Sequence, residues 1–190
     1  VIIGGGVVGI AAATIAHGMR ADVSILDVSL SKLQEIDRLF SGEVKTIASS
    51  AYDIEKELIE ADLVVGAVLV HGAKAPKLVT NKLVSKMKPG SVLVDVAIDQ
   101  GGCFEDSRAT THAEPTYKVH NSIFYCVANM PGAVPATSTY ALANATIKYG
   151  LAIANKGWQT ATGEDAALAK GLNIHAGEIK YEEVAKAHKL

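Results

Sequence analysis

Gly4, Gly6 and Gly9 stand at the spacing G-x-G-x-x-G in the opening run VIIGGGVVGI, directly behind the strand-formers Val1, Ile2 and Ile3. That spacing suits the holding of a diphosphate. The first glycine permits a sharp turn, the second lets a phosphate approach the backbone, and the third lets helix and strand pack closely. A helix opening at Val7 would add unpaired N–H groups and the positive end of its dipole. A second strand candidate, VSILD, ends in Asp27, eighteen residues beyond Gly9. A dinucleotide fingerprint places its ribose-binding acid at that offset. A carboxylate there would repel a 2′-phosphate, so the expected cofactor is NAD rather than NADP. The plainer alternative is a glycine-rich turn that packs a helix, with Asp27 capping the next one.

In open α/β sheets ligands collect at the carboxyl ends of the strands. Ser49, Val68 and Leu69 end strand candidates, as does the segment Val96-Ala97-Ile98-Asp99-Gln100-Gly101-Gly102. Asp99 would lie near the nicotinamide half of a dinucleotide. On residue type alone it could equally be a loop-capping carboxylate, since loop aspartates commonly make turns. The six histidines are scattered, with no HxH or HExxH pair, so no metal site is expected.

The elements that must position these residues alternate. Apolar strand candidates are 1–4, 23–27, 44–48, 63–67 and 91–96, separated by helical candidates 7–19, 30–39, 51–61 and 79–87. In the third helix Ile54, Leu58 and Ile59 form a stripe at helical spacing, with Glu55, Lys56 and Glu60 outside it. Ser29, Ser50 and Thr80 are the expected N-caps. Near-continuous apolar strands between helices predict a doubly wound Rossmann-type α/β domain, a parallel sheet with helices on both faces. Short strands at 116–119 and 122–127 would extend its edge. Beyond Pro131 and Pro135 the pattern turns helical, at 136–156, 164–171 and 181–189, with no strand between. The expected division is a Rossmann domain over 1–134 and a helical segment over 135–190.

Composition agrees with a globular protein that has a real core: 190 residues, 49% apolar, 20% charged and 5% aromatic. A formal charge of −2 without a basic stripe gives no reason to expect nucleic acid or an anionic membrane. Residues 1–19 hold no Lys, Arg, Asp or Glu but carry five glycines, and read as strand–turn–helix rather than a membrane span. Cys103 and Cys126 fit neither a disulfide framework nor a metal spacing, so reduced thiols in the cytoplasm are expected.

The runs LFSGEVKTI, ADLVVGAVLVHGAKAPKLV, VDVAIDQGGCFEDSR and FYCVANMPGAVPATSTYALANAT are far more specific. Together they resemble bacterial NAD-dependent alanine dehydrogenases, along essentially the whole chain. The same family includes the NAD-binding subunit of proton-translocating transhydrogenases, although ANMPGAVPATSTYAL fits the alanine dehydrogenase branch better.

The resemblance implies reversible conversion of L-alanine, water and NAD to pyruvate, ammonium and NADH. Matched motif to motif, Asp99 falls on the family's catalytic aspartate and Asn129 on a residue at the substrate and nicotinamide end. Val7 would face the diphosphate, Asp27 the adenosine ribose, and Lys32 stands where the family has a basic residue beside that ribose. Ser49, Val68 and Leu69 would line the adenine side. Val96, Ala97, Ile98 and Asp99 would surround the nicotinamide half, with Arg108 and with Val127, Ala128, Asn129 and Met130. His71 stands where the family usually has proline.

The resemblance also implies a homo-oligomer, a hexamer built largely through the first long Rossmann helix and its neighbours. It places the family's catalytic histidine, and the arginine and lysine that hold the substrate carboxylate, in a domain before the glycine turn. The expectation is therefore a C-terminal part of a longer enzyme, inactive alone, whose residues 135–190 return to the substrate domain. The alternative is a non-catalytic NAD(H)-binding module such as the transhydrogenase subunit.

Overall fold

The computed structural model describes residues 1–68 and 75–188. The chain divides into two compact units, Val1–Met130 and Pro131–Leu190. In the first, strands β1 (Ile2–Ile3), β2 (Ser24–Asp27), β3 (Lys45–Ala48), β4 (Leu63–Gly66), β5 (Val92–Asp95), β6 (Thr116–Val119) and β7 (Ser122–Tyr125) form one sheet. Its order is β3-β2-β1-β4-β5-β7-β6, parallel throughout except that β6 runs antiparallel to β7. The chain winds outward from β1 to β3 and then returns to β4 on the other side. The crevice between the ends of β1 and β4 is therefore the switch point at which such sheets bind ligands.

The two-residue period of the strands sorts their side chains onto two faces. Ile2 and Ile25 pack with Ala13 of helix α1 (Val7–Gly18), and with Ile36 and Phe40 at helix α2 (Leu30–Leu39). Ile3 and Leu26, one residue on, pack with Ile54 and Leu58 of α3 (Ala51–Ile59) and Leu83 of α4 (Asn81–Val84). Both faces are thus covered, as the apolar strands required. The side chains of Ser29, Ser50 and Thr80 cap α2, α3 and α4 as expected.

The fourth helix is shorter than the predicted 79–87. Val79 instead makes a parallel bridge to Phe104, and after Val84 the bonds tighten to Lys86 N–H→Leu83 C=O and Met87 N–H→Val84 C=O. Pro89 disfavours helical backbone at the residue before it, which ends the run.

The second unit opens with α5 (Pro135–Lys156), whose Pro135 sits in the first turn where its missing N–H is harmless. The helix predicted at 164–171 is instead α6 (Trp158–Glu164) and α7 (Ala166–Ala169). Asp165 breaks the run by taking extended backbone and accepting from the N–H groups of Ala167 and Leu168. The tail also contains strands that were not expected: β8 (Ile174–His175) pairs with β9 (Glu178–Ile179) about the left-handed Ala176 and Gly177. The Trp158 and His175 rings, 4.4 Å apart, hold this ribbon against α6. Helix α8 (Glu182–His188) follows.

Candidate functional site

The glycine run forms the turn between β1 and α1. Gly4 is left-handed at φ +106°, and a Cβ there would lie 2.6 Å from the Ala67 carbonyl oxygen. A Cβ on Gly9 would overlap the Gly4 carbonyl oxygen itself. Both glycines are therefore required by the turn. Gly6 differs: its φ of −79° suits any residue, and nothing lies within 4 Å of where its Cβ would be. The space it faces is open.

Helix α1 has no side-chain cap, in contrast to α2, α3 and α4. Its first backbone bond runs from Ile10 N–H to the Gly6 carbonyl, so the N–H groups of Val7, Val8 and Gly9 precede the ladder. Val7 is 88% exposed. An uncapped helix start beside an open glycine fits the diphosphate of a dinucleotide.

Asp27, at the end of β2, is buried against this turn. Its Oδ2 accepts from Gly5 N–H at 2.8 Å and its Oδ1 from Ser29 N–H at 2.8 Å. Each oxygen keeps a second acceptor position for a ribose hydroxyl. Asp27 therefore supports the start of the next helix and also borders the glycine turn. Lys32 Nζ lies 3.8 Å from Oδ2. Ser49 N–H donates to the Asp27 carbonyl at 2.9 Å, which sets Ser49 beside it at the end of β3. Val68 follows β4, with its backbone nitrogen against Gly4. Leu69 and His71 lie outside the described residues.

Beyond β5, Val96–Gln100 form a turn of 3-10 helix. Ala97 and Ile98 are buried, whereas Asp99 is exposed and its carboxylate makes no hydrogen bond to any described residue. Four residues earlier, Asp95 is fully buried and accepts from the N–H groups of Ala97, Cys103 and Phe104. Cys103 and Cys126 are free and buried. Burial, and then the neighbouring Asp95, push the Cys103 thiol well above its ordinary range, so it stays protonated and donates to Asp95 Oδ1 at 3.5 Å.

At the end of β7, Val127 bridges to Thr110, and Ala128 N–H donates to the Thr110 carbonyl at 3.2 Å. Asn129 is exposed and left-handed at φ +58°, with its carbonyl oxygen 3.1 Å from His112 Nε2. Met130 starts the 3-10 turn that leaves this edge. Arg108 is tied to β6: its N–H donates to the Tyr117 hydroxyl at 3.0 Å and its guanidinium lies 4.0 Å over the Tyr117 ring.

Except for Arg108, the described candidates sit at the carboxyl ends of parallel strands or in the turns, loops and first helical turns that follow, Val7 and Gly9 opening α1 and Lys32 lying in the first turn of α2. Sequence reasoning missed Asp95, Ser107, whose hydroxyl donates to the Asp95 carboxylate, and His112. Asp95 had a signal, an acid closing a buried strand in VDVAIDQ. His112 had none, because its partner is seventeen residues away.

The chain matches, over residues 1–182, the family model described as "Alanine dehydrogenase/PNT, C-terminal domain". It is 60% identical over 186 residues to an alanine dehydrogenase of Mycolicibacterium smegmatis, covering 98% of this chain and 50% of that protein. A solved L-alanine dehydrogenase superposes with a TM-score of 0.88 at 47% identity, over 99% of this chain and 52% of the other. A transhydrogenase from Sinorhizobium meliloti superposes at 0.65 and 29% identity, over 73% of this chain and 39% of the other. The chain spans about half the length of the curated relatives it matches.

Proposed function

Because the chain belongs to the family of the alanine dehydrogenase/PNT C-terminal domain, we propose that it is the NAD-binding part of an alanine dehydrogenase. The observation that carries this reading is the uncapped start of α1 at the switch point, with Gly6 open and Asp27 buried beside it. The N–H groups of Val7, Val8 and Gly9 hold the diphosphate, across the turn that Gly4, Gly6 and Gly9 make possible. Asp27 accepts from the adenosine ribose, Lys32 flanks it, and Ser49, Val68 and Leu69 line the adenine side. Val96, Ala97 and Ile98 border the nicotinamide half, together with Arg108, Val127, Ala128 and Met130.

NAD, when bound, supplies the acceptor for the hydride lost from the amino acid. The net reaction is L-alanine, NAD⁺ and water to pyruvate, ammonium, NADH and a proton. Asn129 positions the substrate at that end, and the Asp99 carboxylate moves protons to and from the reacting nitrogen and the water that hydrolyses the imine. Residues 135–190 belong to the substrate domain. We place the protein in the cytoplasm, a compartment suited to its two free thiols. We also propose a homo-oligomer, a hexamer, in which exposed apolar residues of the α1 region such as Ile15 and Met19 are covered.

A second reading is a module that holds NAD(H) without chemistry, supported by the superposition on a transhydrogenase from Sinorhizobium meliloti. An NADH fluorescence titration of the 190-residue chain, followed by pyruvate and ammonium, separates the two readings when the complete gene product is run in parallel. We expect saturable binding by both and NADH consumption by the complete product alone, only with both substrates present. Absence of binding would overturn the cofactor assignment, and a complete product that binds without consuming would leave the module.

Asp27→Ala should weaken NADH binding about ten- to hundredfold, the equivalent of the roughly 1.5–3 kcal/mol of a hydrogen bond to a charged group. The preference over NADPH should narrow with it. Unchanged affinity in the same titration would remove Asp27 from the site.

A further inference from the structure

We propose that Asp95 is a positioning residue for Asp99: its buried carboxylate gathers both ends of the loop 96–107 so that Asp99 is presented in one place and orientation. This deepens the reading of Asp99 given above and rests on it.

Asp95 closes β5 with no solvent exposure, and no cation among the described residues pairs with it. Burying a carboxylate is unfavourable unless donors surround it. Five do. Ala97 N–H, at 3.1 Å, comes from the start of the loop. Cys103 N–H at 2.8 Å, Phe104 N–H at 3.3 Å, the Cys103 thiol and the Ser107 hydroxyl come from its end. Gly102 presses against the same group, and a Cβ there would lie 2.6 Å from Asp95 Oδ2. A strand that needed only packing at this position would carry another Val or Leu, as in Val92-Leu93-Val94 just before it.

The peptides on either side of Asp99 are held as well. Gly101 N–H donates to the Ile98 carbonyl at 2.9 Å and Gly102 N–H to the Ala97 carbonyl at 3.0 Å. Ala75 N–H reaches the Gln100 carbonyl at 3.2 Å, and Lys77 Nζ binds the carbonyls of Gly101 and Phe104 at 2.6 and 2.8 Å. Within this bonded loop the Asp99 side chain stands exposed. A group that exchanges protons with a small substrate must be held to a fraction of an ångström, and a misplacement of about 1 Å can cost about a hundredfold in rate. A buried, multiply satisfied carboxylate supplies such rigidity.

The test uses the complete gene product, with Asp99→Asn as reference. Ser107→Ala removes one donor and leaves the others on Asp95. Its kcat for alanine should fall about tenfold, as expected for one lost hydrogen bond to a charged group. NADH Kd should stay within about twofold and Tm should drop by no more than a few degrees. Asp95→Asn turns one acceptor into a donor facing N–H groups, and kcat should fall about a hundredfold. If Asp95→Asn does not fold, Ser107→Ala decides alone. An unchanged kcat for Ser107→Ala beside an inactive Asp99→Asn would overturn this inference and leave the Asp99 reading intact. A fall in kcat matched by an equal loss of NADH affinity would also overturn it, because the loop would then serve the cofactor. Full activity of Asp99→Asn would remove the reading of Asp99, and this inference with it.

Discussion

Asp99→Asn in the complete gene product should lower alanine turnover by about 10²–10⁴-fold, the range supplied by one positioned proton-transfer group, with NADH affinity changed by less than about twofold. Asparagine matches aspartate in shape but cannot accept a proton at neutral pH. Asp99 is exposed and bonded to no described residue, so the exchange removes no hydrogen bond among the described residues and stability should hold. The loss should therefore appear in kcat. Steady-state rates with alanine, alongside an NADH titration and a melting curve of the same preparation, give the comparison. Turnover within a few-fold of wild type would make Asp99 a structural loop residue.

Gly9→Ala should abolish measurable NADH binding and destabilise the fold, while Gly6→Ala should lose binding alone. The two glycines sit three residues apart in one turn, yet their surroundings are opposite. A Cβ on Gly9 overlaps the Gly4 carbonyl oxygen, a backbone atom that cannot swing aside, so β1 and α1 must separate. Overpacking of this kind costs about 1–3 kcal/mol, and the upper end is expected where the obstacle is backbone. A Cβ on Gly6 meets no protein atom and its φ and ψ are ordinary. It fills the space assigned to the diphosphate. A loss of about 3 kcal/mol in binding corresponds to roughly a hundredfold in Kd. Melting curves and NADH titrations of both variants give the test: a Gly6→Ala protein that binds NADH normally would mean the open space holds nothing.

Much of the fold could be read directly from the chain. Ile2 and Ile3, Ile25 and Leu26 alternate as strands covered on both faces must, and Ser29, Ser50 and Thr80 cap the helices they precede. The departures came where a long-range partner or a local side-chain cap outweighed the helical pattern. Val79 looked helical by its neighbours and instead bridges to Phe104, and Asp165 split an apolar run by capping within it. The ribbon at Ile174–Ile179 escaped notice because each strand is two residues long, too short to show a period.

The candidate site divides in the same way. The sequence by itself determined the glycine turn, the acid at the end of β2 and an aspartate after β5, because backbone sterics and strand–turn–helix spacing act over short stretches of chain. Tertiary structure alone decided that Asp27 also receives Gly5 N–H from twenty-two residues away, and that His112 meets the Asn129 carbonyl. It alone decided which of the two aspartates in VDVAIDQ is buried and which is presented. Asp95 and Asp99 have the same chemistry. Asp95 ends a central strand, and the loop folds its donors onto that carboxylate; Asp99 sits in the following turn, where no described group reaches it. Burial is decided by how distant parts of the chain close on one another, and residue type and spacing do not carry that information.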